Sequence, residues 1–162
     1  MSTIILDRRI LLAAGGLVVA TGVSRLLLPA RAEGLAPTDS MSGGANNYRK
    51  GAPIVDRIGK GGFWMSGTVR RAGDGTPMAG QRIQIWAHTV EGQEHEPQSH
   101  GATLTDKDGM FRLEMPQIIP IFGQPHGHLA YDSGEFKTVF LRPVMRSAKE
   151  TSLEAHFVLQ PA

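Results

Sequence analysis

The tetrapeptide Pro125-His-Gly-His128 places two imidazoles two residues apart. In an extended strand residues i and i+2 share a face, so His126 and His128 converge on one side and form a ready chelate for a transition metal. Neutral imidazole is the commonest metal-binding side chain. The other histidines are His88, His95, His100 and His156. There is no cysteine, which excludes disulfides, thiolate zinc sites, iron–sulfur clusters and cysteine nucleophiles together. His88 lies two residues after Trp86 and faces the same way, so it would line a pocket or orient a ligand. His100 is a candidate of the same kind, and His156 reads as structural. Asp106 and Asp108 in Asp106-Lys-Asp-Gly109 read as a hairpin device, not a catalytic pair. No glycine loop stands in a phosphate-cradling context, and no serine sits on a nucleophile elbow.

The elements that must carry these residues are short. The chain has 162 residues, one domain's worth, with 41% hydrophobic and 20% charged residues, and its 20 glycines and 10 prolines favour many turns. From Phe63 onward, β-type runs alternate with turn clusters. Phe63–Arg71 is rich in β formers. Gln81–His88 alternates strictly, with Ile83, Ile85 and Ala87 on one face and Arg82, Gln84, Trp86 and His88 on the other. Ala102–Thr105 and Met110–Met115 flank a turn, and His126–Tyr131, Phe136–Leu141 and Leu153–Leu159 complete the set. About seven short strands and no helical period predict an all-β fold, an antiparallel β-sandwich over residues 63–162. Trp86, Phe63 and Phe111 read as core, and Trp86 is also a candidate to line the pocket beside His88 and His100. Glu91–His100 reads as a polar loop. Residues 33–62, with the run Asp39–Asn47, read as a poor core former, a flexible linker and an arm lying over the domain.

The first 32 residues read as an address. Arg8-Arg9 stands directly before the apolar run Ile10–Val23, and Ala30-Arg-Ala32 has the small-x-small form of a signal-peptidase site. The run is too short and glycine-rich for a comfortable membrane span, so cleavage after Ala32 and no stable membrane insertion are expected. A twin-arginine signal implies engagement of the twin-arginine export machinery and a periplasmic destination. That route carries folded chains, commonly because a metal or cofactor is inserted first. The leader holds four arginines against Asp7, leaving 13 basic and 14 acidic residues in 33–162. A near-neutral body has no general attraction for phosphate backbones, so nucleic acid is not an expected partner.

Several segments together carry a family resemblance. Ser66-Gly-Thr-Val69, Asp74-Gly-Thr-Pro-Met-Ala-Gly80, Ile83-Gln-Ile-Trp86, Thr105-Asp-Lys-Asp-Gly-Met-Phe111, Pro125-His-Gly-His128 and Glu154–Leu159 follow one another in the order of the intradiol ring-cleavage dioxygenases. The chain resembles these protocatechuate and catechol dioxygenases over roughly residues 62–160. The resemblance implies the sandwich fold, non-haem iron at His126 and His128, and oxygen-dependent cleavage or oxidation of a small catechol or phenolic aromatic.

The departures are specific. The family's two tyrosine ligands fall at Glu94 and at Ile119 before Pro120, and its arginine falls at Gly123. Glu94 with the histidine pair would make the two-histidine, one-carboxylate set of ferrous oxygenases. His95 with the pair would make a three-histidine set suited to copper or zinc. The only tyrosines are Tyr48, in the arm, and Tyr131, which alternation points away from His128. A non-catalytic periplasmic metal- or ligand-binding sandwich that has lost the dioxygenase tyrosines is the alternative.

Overall fold

A computed structural model describes residues 34–162. The expected signal over residues 1–32 therefore lies outside the described residues. Seven strands follow in order: β1 (Phe63–Arg71), β2 (Arg82–Ala87), β3 (His100–Leu104), β4 (Met110–Met115), β5 (Gly127–Tyr131), β6 (Val139–Leu141) and β7 (Ser152–Leu159). The helical content among the described residues is one 3-10 turn, Pro97–Ser99.

The strands form two sheets, ordered β4-β1-β7 and β3-β2-β5-β6. The all-β sandwich expected from the sequence is the fold. One pairing differs from an antiparallel sandwich: β1 and β7 run parallel, with Gly67 opposite Ala155. Alternation fixes which side chains of a strand face inward but leaves the direction of its neighbour free. Two strands also begin later than the pattern suggested. His126 precedes β5 and makes an isolated bridge to Val144, and β6 keeps only Val139–Leu141.

The core lies between the sheets. β1 sends Phe63, Met65 and Val69 inward, β4 sends Phe111, Leu113 and Met115, and β7 sends Ala155, Phe157 and Leu159. Opposite them stand Ile83, Ile85 and Ala87 of β2 with Leu129 and Tyr131 of β5. β1 and β4 are buried on alternate residues, as a half-solvated sheet requires. β5 and most of β2 are instead buried on both faces.

The second cover is the segment before β1. Residues 34–62 run along the open edges of both sheets, where unpaired backbone groups would otherwise invite association. Thr38 N–H donates to Val158 O on β7, and Met41 N–H to Phe140 O on β6. Val55 N–H donates to Ala102 O on β3, and Ile58 N–H to Glu114 O on β4. Between these edges residues 41–53 cross the outer face of β2 and β5. The stretch read as a poor core former thus buries Ala52 and Ile58, and Ile58 joins the main core. Its lack of periodicity follows from its anchoring: single residues and backbone groups hold it, not a repeating face.

Candidate metal centre

β2 is the central strand of the site. Its Trp86 lies opposite His100 on β3 and opposite His128 on β5. All three side chains point to the outer face, and the indole is sandwiched between two imidazoles. The ring centroids are 5.5 Å apart on the His100 side and 5.2 Å on the His128 side, with planes within 10° of parallel. Trp86 is fully buried, and its Nε1–H donates to Asn46 O of the arm at 2.9 Å. It is packing, as read from the sequence, but it packs beneath the arm.

His126 and His128 stand at the start of β5 with ring centroids 5.0 Å apart. A ring nitrogen facing a carbonyl must carry the hydrogen, because a carbonyl only accepts. His128 Nδ1 faces Gly44 O at 3.1 Å, and His126 Nδ1 faces Gln124 O at 2.9 Å. His128 therefore offers its Nε2 lone pair; His126 Nδ1 also faces Arg142 Nη2, a donor, at 3.3 Å, and its Nε2 is turned toward the same side as that of His128. Burial holds the His128 imidazole below its usual pKa, which keeps it in the neutral form that binds metals.

Glu94 completes the group. Its Oε1 accepts from Asn47 Nδ2 at 2.7 Å. Its Oε2 lies 3.3 Å from His128 Nε2 and 3.7 Å from His126 Nε2. Glu94 Oε2 and His128 Nε2 are both buried and neither makes a hydrogen bond. Two lone pairs thus face one another in a site of low dielectric, an arrangement that a cation between them relieves. Glu94, His126 and His128 each offer a donor atom, all within 4.8 Å of one another. Donors about 2.1 Å from one small divalent cation lie about 3–3.5 Å apart; the 3.3 Å pair meets this and the 3.7 Å pair comes within a few tenths of an ångström of it, so small side-chain shifts fit the residues present to such an ion.

The remaining candidates fall around this group. His95 is exposed and outside it, and the Arg49 guanidinium reaches its carbonyl at 3.5 Å. His100 is 4% exposed, and its Nε2–H donates to Glu94 O at 2.8 Å, which ties the backbone of the carboxylate's loop to the indole stack. His88 is half-buried and not part of the donor group. Its carbonyl accepts from Ile119 N–H at 3.2 Å.

Neither tyrosine enters the site. Tyr131 lies in the core between the sheets, as alternation required. Tyr48 packs on Trp86 and Phe140, but its hydroxyl donates to Asp132. Desolvation and the Asp132 carboxylate push the Tyr48 phenol up to about 12, so it stays protonated.

Sequence reasoning missed the arm's part in the site. Gly44 and Asn46 act through backbone carbonyls, and Arg49 O likewise accepts from Gln84 Nε2 at 2.7 Å. Only the outward-facing polar pair Gln84 and Trp86 hinted that this face needed a cover. Arg142 was also missed. Its Nη2 lies 3.3 Å from His126 Nδ1, and it makes no ion pair among the described residues. A surface groove of about 700 Å³ lies elsewhere, on the outer face of the other sheet, lined by Trp64, Ser66 and Arg112. The Arg112 guanidinium covers the Trp64 ring at 3.5 Å, and no group of metal donors lies there.

No family profile and no curated protein matches the sequence. Solved structures match the fold. Hydroxyquinol 1,2-dioxygenase from Pseudomonas putida DLL-E4 superposes with a TM-score of 0.59 at 12% identity, over 79% of this chain and 68% of that one. 3-Chlorocatechol 1,2-dioxygenase from Rhodococcus opacus 1CP gives 0.58 at 14% identity, over 80% and 73%. The dioxygenase domain of a dioxygenase–carbohydrate-binding protein fusion from Streptomyces sp. SirexAA-E gives 0.59 at 14% identity, over 78% of this chain and 99% of that domain. The fold is that of the intradiol catechol and hydroxyquinol dioxygenases.

Proposed function

We propose that the protein is an exported non-haem iron protein that carries out oxygen-dependent oxidation or ring cleavage of a small catechol-type aromatic. The observation that carries this reading is the buried face-to-face pair of Glu94 Oε2 and His128 Nε2, with His126 Nε2 beside it. Two imidazoles and one carboxylate are the donor set of many ferrous oxygenases. The hard carboxylate donor and the outward position of His95 favour iron over copper. Iron so held would supply open positions for oxygen and for a chelating diol. The chain's own residues would do the rest. Gly44 O fixes the His128 tautomer, and Asn47 turns one carboxylate oxygen away. The Arg142 guanidinium, beside His126 and without a carboxylate partner, would favour an anionic phenolate-type substrate. With Tyr48 and Tyr131 directed elsewhere, the loaded protein should be colourless or weakly coloured, because no tyrosinate reaches the metal.

The test is oxygen uptake by ferrous-reconstituted protein with catechol, hydroxyquinol and protocatechuate, alongside Glu94→Ala and His128→Ala. Uptake that requires a diol and is lost in both variants supports the reading. Stoichiometric iron without uptake on any diol would replace it with a non-catalytic metal-binding sandwich.

A further inference from the structure

Resting on the metal reading of Glu94, His126 and His128, we infer that the arm turn 43–49 is a built part of that site and that Asn47 is the positioning residue for the Glu94 carboxylate. Asn47 donates from Nδ2 to Glu94 Oε1 across 47 residues of sequence at 2.7 Å, while Oε2 of the same carboxylate is the atom aimed at the imidazoles. A carboxylate can rotate about its last torsion. A donor fixed on one oxygen holds the other in place. Asn47 is itself fixed, with φ of 57°, a left-handed conformation that asparagine tolerates better than most residues.

Neighbouring turn residues hold other members of the site. Gly44 O accepts from His128 Nδ1, and Asn46 O accepts from the Trp86 indole that stacks on His128. Gly44 has no room for a side chain: a Cβ there would stand 2.8 Å from Phe140 O and 2.9 Å from Met41 O. The approach that brings its carbonyl to His128 thus requires glycine. One turn touches a carboxylate donor, an imidazole donor and the indole stacked on that imidazole. Docking of this turn and binding of the metal are therefore linked, and each should strengthen the other.

The experiment uses Co2+ as the probe on the full chain, read by its visible ligand-field bands and by competition for affinity. Asn47→Gly removes the amide yet keeps the left-handed turn, and Asn47→Asp keeps the shape but sets a second carboxylate against Glu94. Ser42→Ala, an exposed side chain just outside the turn, is the control. Both Asn47 variants should bind Co2+ about 10–100-fold more weakly with shifted bands, while the control matches wild type. Metal-free thermal stability of Asn47→Gly should stay near wild type, which separates positioning from folding. Co2+ should also slow tryptic cleavage at Arg49 and Lys50 in the wild-type chain, and slow it less in Asn47→Gly. Wild-type affinity, bands and cleavage protection in Asn47→Gly would overturn the role of Asn47 and leave the metal site standing. No Co2+ binding by the wild-type chain would overturn the metal reading and this inference together.

Discussion

Trp86→Ala tests whether the arm and the sheet are one packed unit. The indole is fully buried, stacks on two imidazoles, contacts Tyr48 at a centroid distance of 5.8 Å and donates to Asn46 O. Truncating a buried tryptophan costs about 3–5 kcal/mol, and each aromatic pair contributes about 0.5–1.5 kcal/mol of such a loss beyond its buried area. Against a total stability of about 5–15 kcal/mol, this is about a fifth or more of what holds the fold. Trp86→Phe keeps a ring between the imidazoles but loses the N–H donor, and should cost about 1–2 kcal/mol. Trp64→Ala is the comparison. That ring lies on the outer face under Arg112, and its removal should cost about 1 kcal/mol. The assay is urea unfolding followed by circular dichroism, with the slope checked for constancy. A loss under about 1 kcal/mol for Trp86→Ala would show that the arm does not pack on this face, and the account of the site's ceiling would fall with it.

Three further outcomes are expected. Burial holds His100 and His128 below the ordinary value of 6.5 in the folded state, so the unfolded chain binds more protons below that pH. Stability of the metal-free protein should be complete above pH 6.5 and fall on acidification, so an equal or higher urea midpoint at pH 5.5 than at 7.5 would contradict this. Gly67→Ala should abolish folding, because its Cβ would stand 1.6 Å from Ala155 O on the parallel neighbour; a soluble variant melting with wild type would refute the β1–β7 register. Replacing Arg8-Arg9 by Lys-Lys should block export, and normal periplasmic accumulation in cell fractionation would remove the twin-arginine proposal.

The sandwich was legible because Phe63–Arg71 and Met110–Met115 alternate cleanly and the turns between strands carry glycine, aspartate and proline. The faces of β2 and of Tyr131 followed from the same period. His126 and His128 were legible as a pair for that reason, even though His126 stands just outside its strand. Which neighbour completes the group was not. Glu94 and His95 are adjacent in a loop without period, and only the fold turns Glu94 inward while leaving His95 exposed. The arm was the least legible part. Gly44, Asn46 and Arg49 act through carbonyls that every residue type possesses, so no residue pattern marks them. The parallel run of β7 beside β1 is equally invisible to alternation.

The central claim is a metal held by Glu94, His126 and His128. Metal analysis of the protein purified from its native host, with His126→Ala and His128→Ala prepared in parallel, tests it most directly. The account predicts about one iron per wild-type chain and little in either variant, since two remaining donors hold the ion weakly against water. Wild-type protein free of transition metal even after ferrous reconstitution, or equal metal in both variants, would contradict it.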